Sequence, residues 1–207
     1  MVHTNKKWSV ISLLALTLAF TLNSCKQTST EIVPSSKFAA YVNAFTGGVI
    51  SQTSTIRIEL TKDLPVVELN SELSGKPITF SPSLKGKAHW VSNNTIEFVP
   101  EEGELQPGKL YQATFKPGDF MEVEKELRKF QFTFRVMERN FAIDMKSLFV
   151  HASDPEVITI KGEIRFSDVI DKKKIDKMIA VRTSDKQNLT VAIEETDSPT
   201  VFGFTIA

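Results

Sequence analysis

The sequence predicts an all-β protein built from tandem sandwiches, and two observations lead to this class. Apolar and polar residues alternate through most of the chain after residue 37, which is the pattern of strands with one buried and one solvated face. Turn-forming pairs such as Gly47-Gly48, Asn93-Asn94 and Pro107-Gly108 separate these stretches. Short strands at such spacing are typical of sandwiches and barrels.

The amino terminus predicts export. Lys6 and Lys7 precede residues 9–22, which are 14 uncharged and mostly apolar residues. A positive start before a short apolar stretch is typical of a secretory signal peptide. A helix that crosses a bilayer needs about 20 apolar residues, so this run is a poor permanent anchor. We therefore predict that residues 1–24 form a signal peptide that is removed.

The only cysteine of the chain follows this run. Leu22-Asn23-Ser24-Cys25 resembles the lipobox of bacterial lipoproteins. The resemblance implies that the Cys25 thiol receives a diacylglyceryl group and anchors the chain to membrane lipid in the bacterial cell envelope. Several acyl chains on one residue would hold more firmly than a single chain. A lone buried thiol and an ordinary cleaved signal remain the alternatives.

The rest of the chain divides into a tether and two β domains. Residues 25–37 are mostly polar with one proline, which predicts a flexible tether behind the lipidated cysteine. Residues 38–137 have the size of one immunoglobulin-like sandwich. Residues 138–207 are fewer than such a sandwich needs, so we expect a second, incomplete sandwich and a chain that is part of a longer protein.

The strands of both domains are predicted from period-two alternation. The apolar positions are Ile56, Ile58, Leu60; Ile96, Phe98; Tyr111, Ala113, Phe115; Phe130, Phe132, Phe134, Val136; Phe141, Ile143, Met145; Ile158, Ile160, Ile164, Phe166; Leu189, Val191, Ile193; and Phe202, Phe204, Ile206. Gly162 falls on the apolar face of its strand, which suggests a bulge or close packing. A helical turn is expected within residues 168–179, because Ile175 and Ile179 are four apart.

Residues 80–115 carry the densest pattern. Its landmarks are Pro82, Gly86, Trp90, Phe98, Pro100, Leu105, Pro107, Gly108 and Tyr111. We expect Gly86 to permit a turn and Trp90 to be buried, because a small sandwich buries so large a ring in its core. A tyrosine shortly after a turn can hydrogen-bond to the backbone across the corner of a sandwich.

This order of residues resembles the immunoglobulin-like and macroglobulin domains in the amino-terminal region of bacterial alpha-2-macroglobulins. Residues 162–171 and the closing Phe202–Ile206 stretch are similar to the next macroglobulin domain. The resemblance implies macroglobulin-type sandwiches and a role in inhibiting endopeptidases. The Cys-Gly-Glu-Gln thioester of that family is absent, because Lys26 follows the only cysteine. The expected role is therefore a membrane-anchored, non-catalytic scaffold, with an endopeptidase as partner only through a longer protein.

A surface adhesion or glycan-binding lipoprotein made of immunoglobulin-like domains is the alternative, with Trp90 and Tyr111 as candidate sugar platforms. The sequence offers no sign of an enzyme, a cofactor, a metal site or a nucleic-acid partner. His89 and His151 are isolated from other ligand types, and the serines lack a nucleophile elbow. Residues 101–104, Glu-Glu-Gly-Glu, lack the spacing of a calcium loop. The formal net charge is zero, with no basic stripe for nucleic acid.

Overall fold

Strands are the main regular secondary structure of the computed structural model, which describes residues 30–206. The all-β prediction is confirmed. The strands fall into two groups, which we call the first β body (β1–β8) and the second β body (β9–β14), and both belong to one compact unit, Glu31–Ala207. The predicted signal peptide and Cys25 lie outside the described residues.

The first β body is a sandwich of two four-stranded sheets. The first sheet has the order β1-β3-β6-β5, and the second has the order β2-β8-β7-β4, in which β2 runs parallel to β8. The bounds are β1 Val42–Phe45, β2 Gly48–Ile50, β3 Ile56–Leu60, β4 Ile78–Ser81, β5 Gly86–Ser92, β6 Thr95–Pro100, β7 Leu110–Phe115 and β8 Phe130–Val136. Short 3-10 helices cover Ser36–Ala40, Pro117–Asp119 and Lys125–Leu127.

One core fills the space between these two sheets. Alternate residues of β3, β7 and β8 point inward as predicted, and Phe132 and Ala113 are completely buried. Aromatic rings meet across the sheets: the ring centroids of Phe80 and Phe98 lie 4.6 Å apart. Such edge and offset contacts add to the stabilisation from apolar area alone.

The second β body consists of one four-stranded sheet with a helix and a ribbon. The sheet has the order β13-β14-β10-β9, and β11 and β12 form the two-stranded ribbon. The bounds are β9 Phe141–His151, β10 Asp154–Phe166, β11 Val181–Arg182, β12 Asn188–Leu189, β13 Val191–Glu195 and β14 Val201–Ile206. The predicted alternation across residues 189–193 is thus divided between two strands.

A single α-helix of the described chain, α1 (Lys172–Met178), covers part of this sheet. Asp171 caps it by accepting a 2.8 Å hydrogen bond from the Lys173 backbone nitrogen. Ile175 is fully buried in a small core that includes Ile164, Ile193, Phe202 and Phe204. The helical turn predicted here is confirmed, and it is longer than expected because the three lysines begin the helix.

Candidate functional site

A buried carboxylate joins the two β bodies. Asp168, which is 8% exposed, follows β10 and accepts hydrogen bonds from the β2–β3 loop. Ser51 Oγ donates to its Oδ1 at 2.6 Å, and the Gln52 backbone nitrogen donates to its Oδ2 at 2.7 Å. The Val169 backbone nitrogen donates to Oδ1 at 2.8 Å. The carboxylate is therefore satisfied by three donors, as burial of a charge requires.

The connecting segment between the bodies is also held by hydrogen bonds. The Met137 backbone nitrogen donates to the Ile50 carbonyl at 2.8 Å. Ser167 Oγ donates to the Glu138 carbonyl at 2.7 Å and accepts from the Asn140 backbone nitrogen at 2.9 Å. These hydrogen bonds restrain the segment that connects the two β bodies. They use short polar side chains, which do not stand out in the sequence.

A cleft of about 630 Å³ opens beside this joint. Its walls include Gln52, Arg139 and Lys174, together with Glu101 and Glu102 from the acidic turn. Glu104 of the same turn instead accepts a 3.0 Å hydrogen bond from the Lys85 backbone nitrogen. Within residues 30–206, no three His, Cys, Asp or Glu side chains come together as a metal site would need.

The predicted tyrosine corner is present in the first β body. Tyr111 is 2% exposed, and its hydroxyl donates to the Glu104 carbonyl at 2.9 Å. The same oxygen accepts from the Gln106 backbone nitrogen at 3.2 Å. Pro107 and Gly108 form the turn before β7, and Gly108 has a φ of +77°, which suits glycine. The pattern around residues 104–111 therefore fixes a corner of the sandwich.

The other landmarks of the pattern are also structural. Trp90 is 4% exposed and meets the Phe120 ring edge-on at 5.2 Å between centroids. Burial of Trp90 and Tyr111 removes both rings from any sugar platform. Phe98 lies in the core, Pro100 ends β6, and Pro82 follows β4.

Gly86 is the first residue of β5, so the turn predicted for it is wrong. A Cβ there would lie 2.3 Å from the Val99 carbonyl oxygen and 2.6 Å from the Phe98 ring. The position needs glycine because the neighbouring strand approaches too closely for a side chain. Sequence alone could not distinguish close approach from a turn.

A charged row crosses the outer face of the first sheet, where Glu97 lies between the inward-facing Ile96 and Phe98 of β6. Glu97 is only 8% exposed, because Arg57 and His89 flank it on β3 and β5. Arg57 Nε donates to Glu97 Oε1 at 2.6 Å, Thr55 Oγ1 donates at 2.8 Å, and His89 Nε2 lies 3.3 Å from Oε2. Burial raises the pKa of Glu97, but the hydrogen bonds from Arg57 and Thr55 and the charges of Arg57 and His89 outweigh it, and the net pKa is lowered.

His151 is not part of that row. It ends β9 on the second β body, where its Nε2 lies 3.0 Å from Thr159 Oγ1. His89 and His151 therefore have different surroundings.

An uncovered apolar face lies on the second β body. It is formed by Phe141, Ile143, Met145, Leu148 and Val150 of β9, each between 55% and 61% exposed. These residues pair directly with Phe166, Ile164, Gly162, Ile160 and Ile158 of β10, and directly paired residues share a face of a sheet. They therefore lie on the same face of the sheet as the small core around Ile175. Neither α1 nor the ribbon buries them.

A bulge keeps these side chains on one face. Met145 pairs with Gly162 and Ser147 pairs with Lys161, which leaves Lys146 as an extra residue. Without the bulge, Leu148 and Val150 would point to the opposite face. The bulge is visible in the sequence, because the apolar residues of this face are at odd positions up to Met145 and at even positions from Leu148 on. Recognising this shift would have extended the predicted strand to Val150.

Two sequence predictions concern membranes, the lipidation of Cys25 and the lack of a permanent span in residues 9–22, and both fall outside the described residues. Among residues 30–206, no helix has the length and apolar character required to cross a bilayer.

The segment predicted as a tether includes Ile32. The backbone nitrogen of Ile32 donates to Thr133 Oγ1 on β8 at 3.0 Å.

No family model and no curated protein matches this chain. Similar solved structures include an L,D-transpeptidase from Mycobacterium tuberculosis, with a TM-score of 0.33 and 12% identity over 77% of this chain and 61% of that one. L,D-transpeptidase 3 from the same organism, in complex with a faropenem-derived adduct, has a TM-score of 0.32 and 12% identity over 79% of this chain and 60% of that one. This chain thus spans about three fifths of each enzyme's length, and a likeness of this degree carries no chemistry across.

Proposed function

We propose that this chain is the membrane-anchored amino-terminal part of an alpha-2-macroglobulin-like endopeptidase inhibitor and acts there as a non-catalytic scaffold of immunoglobulin-like domains. The joint at Asp168 supports the scaffold role, and the resemblance of residues 80–115 supports the macroglobulin-like assignment. A scaffold has to hold its parts at a fixed distance and angle, and a buried carboxylate with three donors resists bending better than a free linker would.

Two further features support the scaffold. The landmarks of residues 80–115 are used for packing, a hairpin and a corner, which is what a scaffold needs from them. The lipobox-like residues 22–25 supply a means of attachment at one end. Inhibition of an endopeptidase belongs to the longer protein, since the thioester sequence is missing from this chain.

The genomic DNA downstream of codon 207 tests the inhibitor assignment directly. Further β domains and a Cys-Gly-Glu-Gln sequence in the same reading frame are the expected result. A stop codon followed by an unrelated gene would contradict the assignment.

The adhesion alternative is tested on the same chain. A glycan array probed with residues 26–207 is expected to show no binding above background, because Trp90 and Tyr111 are buried. A reproducible glycan ligand would replace the scaffold with an adhesin.

A further inference from the structure

The uncovered apolar face differs from the opposite side of the same strands. Opposite it, charged side chains form a network: Lys146 contacts Asp144 and lies 3.6 Å from Glu163, and Arg165 donates to Glu163 at 2.6 Å. A sheet that has one charged and one apolar face is built to bury the apolar one. In the second β body that burial is completed over β13 and β14 but not over β9.

The far end of the β9–β10 hairpin makes this exposure greater. The pairing of β10 with β14 ends at Ile160 and Ile206, whereas β9 and β10 continue to His151 and Asp154. Val150 and Ile158 therefore lie on a two-stranded arm, Leu148 lies at its base, and each of the three is 45% exposed or more. A lone two-stranded hairpin is only marginally stable in water, so the arm gains from a partner.

We infer that a second copy of this chain covers the uncovered apolar face, so that two second β bodies pack face to face as the two layers of one sandwich. The five side chains are centred on Met145 along β9. A two-fold axis near Met145 would set Leu148 and Val150 of each copy against Phe141 and Ile143 of the other. An isologous contact of this kind requires that one patch be complementary to itself. A row of medium and large apolar side chains meets this requirement.

The size of the patch is at the lower end of what a dimer interface needs. Eleven residues at about 3.3 Å each make β9 about 36 Å long, and two strands with their side chains present a band roughly 15 Å wide. A copy laid on this band covers on the order of 500 Å² in projection and a larger accessible area, which approaches the roughly 800 Å² per partner of a standard interface. Isolated apolar residues on a surface need no such explanation, but a continuous row does.

The charges of the arm disfavour a lipid surface as the occupant. The tip between β9 and β10 is His151-Ala152-Ser153-Asp154, so polar and acidic groups would meet the headgroups before any apolar side chain did. Segments that bind a membrane surface instead combine exposed apolar residues with lysine or arginine. A protein that packs on the apolar face of the sheet would not have to bury the polar residues of the tip.

Sedimentation velocity of residues 26–207, from low micromolar to about 100 µM, tests the inference by mass action. We expect a monomer–dimer equilibrium. Leu148→Asp should weaken the dimer by at least about tenfold, because it places a charge in the buried layer. Phe149→Asp is the matched control: Phe149 is the next residue of β9, is 53% exposed, pairs with Thr159 on the opposite face, and should leave the dimer intact.

A second measurement fixes the axis. Residues 26–207 contain no cysteine, so Met145→Cys introduces a single thiol, and mild oxidation should give a disulfide-linked dimer if the axis passes near residue 145. A monomer at every concentration would overturn the inference. Equal loss of the dimer in the Leu148 and Phe149 variants would also overturn it. So would a monomer that binds lipid vesicles through Leu148.

Discussion

Asp168 and Ser51 are 117 positions apart in the chain, yet Ser51 Oγ donates a 2.6 Å hydrogen bond to Asp168 Oδ1. The adjacent Gln52 backbone nitrogen bonds the other carboxylate oxygen. One side chain after β10 thereby holds a loop of the first β body. The same contact stabilises the fold and fixes how the two bodies are joined.

Asp168→Ala should loosen this joint. It leaves the Gln52 backbone nitrogen and the Ser51 hydroxyl without their acceptor, which costs about 1–3 kcal/mol of unfolding free energy. We expect a lower thermal midpoint and a broader distance distribution in small-angle scattering. Asp197→Ala, at an exposed turn, is the control. A variant that keeps the wild-type scattering profile would show that the joint does not depend on Asp168.

Tyr111→Phe should destabilise the first β body. The change deletes the hydroxyl that donates to the Glu104 carbonyl and accepts from the Gln106 nitrogen. A loss of about 1 kcal/mol is expected from denaturant unfolding. Tyr41→Phe removes the hydroxyl of the other tyrosine, which is half-buried, and should cost less. Equal losses in the two variants would argue against the corner.

Gly86→Ala should be strongly destabilising for a change of one methyl group. The new Cβ would meet the backbone of Val99 and Pro100 at 2.3 Å and 2.9 Å, so the strands must move apart, at a cost of about 1–3 kcal/mol or more. Gly203→Ala is the matched control, because its nearest neighbour would be 3.7 Å away. Thermal unfolding of both variants provides the comparison, and a neutral Gly86→Ala would refute the packing argument.

The charged row around Glu97 predicts sensitivity to acid. Since the pKa of Glu97 is lowered in the folded state, its contribution is present above the unfolded pKa of about 4.3 and is lost as the pH falls through the folded value. The difference in thermal midpoint between wild type and Glu97→Gln should therefore shrink below about pH 4. Glu194→Gln, at an exposed position of β13, serves as the control. A difference that stays constant from neutral pH to pH 3 would contradict the prediction.

Cys25→Ala should release the protein from membranes. Without the thiol there is no site for the diacylglyceryl group that the lipobox-like residues imply. Fractionation of cells that express the whole chain, followed by intact-mass measurement, should show a soluble, unacylated variant beside a membrane-bound wild type. Ser24→Ala retains a small residue before the cysteine and should still be anchored. An unchanged mass and distribution for Cys25→Ala would remove the lipoprotein hypothesis.

Much of the first β body could be predicted from the sequence. Ile56, Phe132 and Tyr111 are buried as the alternation of apolar and polar residues predicts. Successive side chains of a strand point to opposite faces, so a strand with one solvated face alternates between apolar and polar residues. The tyrosine corner could be predicted for a similar reason: the turn, the tyrosine and its backbone partners are close in the chain. Glu97 could not, because its burial depends on Arg57 and His89, which come from other strands.

Local alternation therefore determined the strands, the hairpins and the all-β class, since each depends on residues within a few positions of one another. Tertiary structure alone decided that Asp168 joins the two bodies, that Gly86 is needed for close approach, and that β9 presents its apolar face to solvent. Those features depend on which strands become neighbours and on what covers them. Pairing across a hundred residues leaves no periodic trace in the sequence.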